Sequence, residues 1–229
     1  YTVTATNTGG DATTTIDITV NDIIPSSVTY TGSPYVETKD SAMTTGIPTF
    51  NGGTVLSWSV TPSLPTGLDI DASTGEISGT PTVLSTQTTY TIYANNTGGS
   101  ATTTIVITVN DIAPTISYTV NSFVETRDSP MSAETPVIGG GTILTWAISP
   151  NLPTGLSLDS TTGEISGTPT VISYITTYTI TATNTGGSAT DTVDIEVRDI
   201  VPTNLDYIPS SFILTLNAPM NPVTPTASG

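Results

Sequence analysis

Asp71 with Glu76, and Asp159 with Glu164, each bracket a Thr-Gly dipeptide. Two carboxylates this close in sequence are the first place to look for glycosidic acid–base chemistry. The same pair stands twice in one chain, however, and Asp beside Gly is also the chemistry of a capped turn. Turn stabilisation is therefore the expected role. Histidine and cysteine are absent, so Ser and Thr hydroxyls lack their usual activating base. The chain reads as non-catalytic, with no catalytic residue assigned. Trp58 and Trp146 could act as stacking platforms, yet they lie in alternating apolar runs (Leu56, Trp58, Val60; Leu144, Trp146, Ile148) that predict core positions. Lys39 is the only lysine and its counterpart is Arg127, which removes a repeated Lys–Asn isopeptide crosslink. Asn95-Asn96-Thr97 is a glycosylation sequon.

The elements that hold these residues recur with a fixed period. Leu64-Pro65-Thr66-Gly67-Leu68 and the following Thr74-Gly75-Glu76-Ile77-Ser78-Gly79-Thr80-Pro81 return as Leu152 to Leu156 and Thr162 to Pro169. The offset is 88 residues (152 − 64), and Trp58 with Trp146 and Glu37 with Glu125 share it. Such a period marks a tandem array of small domains. Pro-containing joints, Asp22-Ile23-Ile24-Pro25, Asp111-Ile112-Ala113-Pro114 and Asp199-Ile200-Val201-Pro202, end the preceding strands. The period and joints divide the chain into the closing hairpin of a partial repeat (1–22), two complete repeats (23–110 and 111–198) and the opening strands of a further one (199–229). The chain is thus expected to be a window on a longer repetitive polypeptide.

Within a repeat, short alternating runs are separated by turn residues, as in a β-sandwich. Tyr178, Ile180 and Ala182 share one face of a strand and Thr179, Thr181 and Thr183 the other. Asn184-Thr185-Gly186-Gly187 supplies a tight turn before the returning strand Thr192 to Val197. Threonine excess and scarce helix formers predict an all-β fold. The net charge of −16, from 3 Lys+Arg against 19 Asp+Glu, argues against nucleic acid and anionic membrane surfaces. No apolar run is long enough to insert in a bilayer.

The stretch Leu-Pro-Thr-Gly-Leu-x-x-Asp-x-x-Thr-Gly-Glu-Ile-Ser-Gly-Thr-Pro-Thr, followed by Tyr-Thr-x-x-Ala-x-Asn-x-Gly-Gly-Ser-Ala-Thr, closely resembles the immunoglobulin-like repeats found in tandem in large bacterial and archaeal surface proteins. These are relatives of the dystroglycan-type cadherin-like domain. The resemblance implies seven-stranded sandwiches, extracellular display and a part in adhesion or surface architecture, with no catalytic activity. Val109-Asn110-Asp111-Ile112-Ala113-Pro114 is also similar to the calcium linker of cadherins. That likeness implies calcium ligands at Glu37, Asn21, Asp22, Glu125, Asn110 and Asp111, with Asp199 at the last joint. Several ligand positions depart from the pattern: Thr19, Thr108 and Glu196 replace the first linker aspartate, and Ile23, Ile112 and Ile200 the final asparagine. Ca²⁺ takes about six to eight oxygens, several of them carboxylates, so weak binding or none is expected, with Asn and Asp capping turns instead. No other cofactor is implied.

The function these observations predict is a structural repeat region of an extracellular filament, stalk, sheath or surface-layer protein at the cell surface. Its partners are copies of itself or further repeats of the same polypeptide. The alternative is an adhesin that binds carbohydrate or protein, such as surface glycans, through loops at the ends of the sandwiches. A spacer in a large secreted enzyme ranks third. A binding module should show a loop that diverges between repeats and gathers aromatics. The turns here stay alike, which favours the structural reading.

Overall fold

A computed structural model describes residues 1–228; Gly229, which the repeat sets opposite Gly141, lies outside them. The chain forms two compact units, one from Tyr1 to Ile112 and one beginning at Ala113.

The first unit opens with a two-stranded hairpin of β1 (Thr2–Asn7) and β2 (Gly10–Thr15) that no third strand joins among the described residues. Every residue of this hairpin is exposed. Eight strands follow: β3 (Ser26–Tyr30), β4 (Tyr35–Thr38), β5 (Pro48–Asn51), β6 (Ser57–Thr61), β7 (Leu68–Ile70), β8 (Ile77–Gly79), β9 (Ser85–Asn96) and β10 (Gly99–Asn110). One sheet has the order β4-β10-β9-β6, while β3 pairs with β5 and β7 with β8. The long hairpin of β9 and β10 is the scaffold: Tyr90, Ile92 and Ala94 alternate with Ile105, Ile107 and Val109 on one face, all nearly inaccessible to solvent. They meet Val28, Tyr30, Leu68 and Ile77 in one apolar cluster. Each such isoleucine contributes about 1.5–3 kcal/mol by leaving water, and threonines take the outer face.

The second unit repeats this plan with β11 (Thr115–Ser117), β12 (Ser122–Thr126), β13 (Met131–Glu134), β14 (Val137–Gly139), β15 (Thr145–Ser149), β16 (Leu156–Leu158), β17 (Ile165–Gly167), β18 (Ser173–Asn184) and β19 (Gly187–Arg198). Its main sheet runs β12-β19-β18-β15, faced by β13-β17-β16 and the pair β11-β14. Tyr178, Ile180, Val193, Ile195 and Val197 fill its core. Beyond it, β20 (Thr203–Asp206) and β21 (Thr226–Ser228) pair with one another, and the segment is exposed almost throughout.

The all-β tandem architecture expected from the sequence is borne out. Strand number differs from the seven that the resemblance implies, because the opening segment of each unit is split. In the first unit β3 lies antiparallel to β5, and the chain then crosses so that β4 runs parallel to β10. In the second, Met131 to Glu134 adds β13 against β17, whereas the matching stretch of the first makes only isolated bonds, Met43 N–H to the Gly79 carbonyl and Gly46 with Ile77.

Candidate functional site

The acid pairs lie in turns. The Asp71 carboxylate accepts the N–H groups of Ser73 and Thr74, each at 2.8 Å. The Asp71 N–H donates to the Glu76 carbonyl, and the Gly75 N–H to the Asp71 carbonyl. Asp159 does the same with Thr161, Thr162, Glu164 and Gly163. The N–H groups of Thr74 and Ser73 hold the Asp71 carboxyl below its ordinary range, and those of Thr162 and Thr161 do so for Asp159. Both Asp side chains thus act as caps that close a loop under the core.

A tyrosine pins each loop from inside. Tyr30 Oη donates to the Gly75 carbonyl at 2.6 Å, and Tyr118 Oη to the Gly163 carbonyl. Burial raises both phenols well above their ordinary range. Reasoning from sequence did not single out these tyrosines, although they too stand one period apart. Gly75 and Gly163 adopt φ of +75° and +74°, and a Cβ there would lie 2.5 and 2.6 Å from the Trp58 and Trp146 rings. Glycine is required because the indole lies directly on the turn.

The two tryptophans are not equivalent. Trp58 is 4% exposed, with edge-on contacts to Tyr30 (centroids 6.4 Å apart) and Phe50 (5.6 Å). Trp146 packs against its core only partly buried, and its buried Nε1 has no hydrogen-bond partner. Both were expected as core residues. In the second unit Ile138 stands where the first has Phe50, and among the described residues neither aromatic contact of Trp58 has a counterpart on Trp146. A shallow hollow is lined by Trp146, Asn151, Leu152 and Leu156.

Of the calcium candidates, Glu37 sits on β4 opposite Val109, so the parallel pairing brings it beside Asn110 and Asp111. Glu125 likewise lies opposite Val197, at the Arg198–Asp199 end of its own unit. Asn21 and Asp22 belong to the other end of the first unit, where the Asp22 N–H donates to Thr97 Oγ1 and Asn96 Nδ2 to the Ile23 carbonyl. Asp22, Asp111 and Asp199 each accept the N–H of the following isoleucine. Burial pushes the Glu37 and Glu125 carboxyls up. Arg127 Nη2 lies 3.0 Å from Asp199 Oδ1, and its Nε 3.3 Å from Asp128 Oδ2 without hydrogen-bond alignment. Lys39 pairs with Asp40 at 2.6 Å. Among the described residues no three His, Cys, Asp or Glu side chains gather as a metal site.

A family profile described as "Putative Ig domain" matches residues 17–110 and 113–198, and the chain belongs to that family. It is 35% identical over 149 residues to the "Serine-rich adhesin for platelets" of Staphylococcus aureus, covering 64% of this chain and 6% of the relative. The protein of that name from strain MRSA252 is 34% identical over 149 residues, covering 64% and 11%. The chain thus spans only a small part of the curated relatives it matches. Among solved structures, extracellular domains 3–5 of Drosophila OTK align with a TM-score of 0.45 at 14% identity, covering 75% of this chain and 62% of that one. Among the described residues no helix is long and apolar enough to cross a membrane.

Proposed function

We propose that the chain is a repeat segment of a cell-surface adhesin or stalk, in which tandem sandwiches project and space a longer polypeptide outside the cell. Membership of the immunoglobulin-like family across two successive units is the observation that carries this reading. The two cores share the buried residues of their long hairpins, the loops are closed by hydrogen bonds rather than disulfides, and neighbouring arrays repel through a net charge of −16. A non-catalytic role is supported by the Asp71 and Asp159 carboxylates, which cap turns. An antibody against the chain, applied to intact source cells before and after protease shaving, tests the reading. Labelling lost on shaving is expected; labelling that needs permeabilised cells overturns it.

A second reading, that the units themselves hold a ligand, is supported by similarity to a protein named as an adhesin and by side chains that differ between units outside the turns.

A further inference from the structure

The two units agree in their turns and diverge together on one patch of the main sheet. At the start of β9 and of β18 the pairing with the next strand is interrupted by a bulge, between Ile107 and Val109 in the first unit and between Ser173 and Thr176 in the second. The bulge is built alike in both. Ser85 Oγ and Thr88 Oγ1 donate to the Thr86 carbonyl at 3.2 and 2.9 Å; Ser173 Oγ and Thr176 Oγ1 donate to the Tyr174 carbonyl at 3.2 and 3.0 Å. What it displays is not alike: Thr86 and Gln87 in one unit, Tyr174 and Ile175 in the other. Tyr174 is 92% exposed and Ile175 62%.

The opposing strand diverges at the same place. Asp194, Glu196 and Arg198 alternate with the buried Val193, Ile195 and Val197, so they stand on the outer face of β19. Their counterparts on β10 are the uncharged Val106, Thr108 and Asn110. Thr177 Oγ1 bonds Asp194 at 2.6 Å and Arg198 bonds Glu196 at 2.9 Å, which leaves Asp194 without a cationic partner among the described residues. A large aromatic and a branched aliphatic exposed side by side form an apolar patch of the kind that marks interaction sites. Tyrosine is also an anchor enriched where binding energy concentrates.

We propose that Tyr174, Ile175, Asp194 and Glu196 form a docking surface for an extended, basic segment of a partner protein, so that the second unit is the adhesive member of the pair. Three observations select this occupant. The patch carries a surplus of carboxylate on a chain of net charge −16, which attracts cations and repels acids. Its anchors are apolar. And β15 pairs with β18 only from Thr179 to Thr183, so among the described residues Ser173 to Tyr178 has β19 on one side and no strand on the other, an edge that an extended peptide can join. The inference rests on the ligand-holding reading above and names its site.

The first unit supplies the control, because its own residues fold on the same bulge. Fluorescence anisotropy with an alternating Lys/Leu dodecapeptide should show binding to the full chain about tenfold tighter than to the Tyr174→Thr, Ile175→Gln variant. Changing Asp194→Val and Glu196→Thr should flatten its salt dependence, and Glu/Leu or Lys/Ser peptides should not distinguish wild type from variant. Equal affinity for both proteins, no binding, or neutral oligosaccharides held through Tyr174 in place of the peptide would overturn the proposal. If antibody still labels intact cells while the peptide fails to discriminate, the docking surface falls and surface display stands; if labelling fails, the underlying reading falls instead.

Discussion

Replacing each tryptophan by alanine should cost the two units different amounts. Emptying an aromatic core site costs about 3–5 kcal/mol, and Trp58, 4% exposed and edge-on to Tyr30 and Phe50, should fall in the upper part of that range. Each aromatic contact carries about 0.5–1.5 kcal/mol beyond burial. At Trp146 the ring is only partly covered and the indole N–H is buried without an acceptor, a penalty of about 1–3 kcal/mol that truncation relieves. Trp58→Ala should therefore destabilise its unit by roughly 2 kcal/mol more than Trp146→Ala destabilises the other. Amide exchange separates the effects, read at Tyr90 to Ala94 for the first unit and Tyr178 to Ala182 for the second. Equal losses, or a larger one at Trp146, would refute the packing difference. Restoring the missing ring with Ile138→Phe should narrow the gap.

Tyr118→Phe leaves the Gly163 carbonyl without its buried donor and should cost about 1–3 kcal/mol, read as an earlier denaturation midpoint of the second unit. Asp71 and Asp159 have carboxyls held low in the folded state, so their contribution is present above the unfolded value near about 3.9 and lost as pH falls through the lower folded value. The melting temperature of an Asp71→Asn, Asp159→Asn variant should lie below that of wild type at neutral pH and converge with it in acid; a constant gap would contradict this. We propose that calcium contributes little at the joints: chelation should shift melting by no more than about 1 °C, whereas a ligand bound to the native state alone would lower it by several.

Much of the fold was legible because β-structure writes its burial into alternation. Tyr178, Ile180 and Ala182 and their counterparts are buried as their spacing required, and the repeated Leu-Pro-Thr-Gly-Leu to Gly-Thr-Pro segment gave away the family. Three features were not legible, each because it depends on how separate strands come together rather than on a local pattern. The split opening segment arises from a crossover between layers, which no local pattern marks. The tyrosine that pins each Thr-Gly turn reaches across 45 residues. Trp146 sits in an alternating run as regular as that of Trp58, and its partial exposure goes with the lack of the aromatic contacts that Trp58 makes. The candidate ligands show the same limit: the likeness to cadherins set Glu125 with Asn110 and Asp111 at the joint before its unit, whereas strand pairing puts it beside the joint that ends its own unit, as it does Glu37.

Pulling single molecules of the chain from both ends tests most directly whether it is a tandem of self-sufficient mechanical units. The account predicts two separate unfolding events of similar size, since each unit of the 88-residue period (146 − 58) unravels to about 3.3–3.6 Å per residue, roughly 30 nm less its folded length. A single event releasing both lengths together, or extension without resistance, would contradict it.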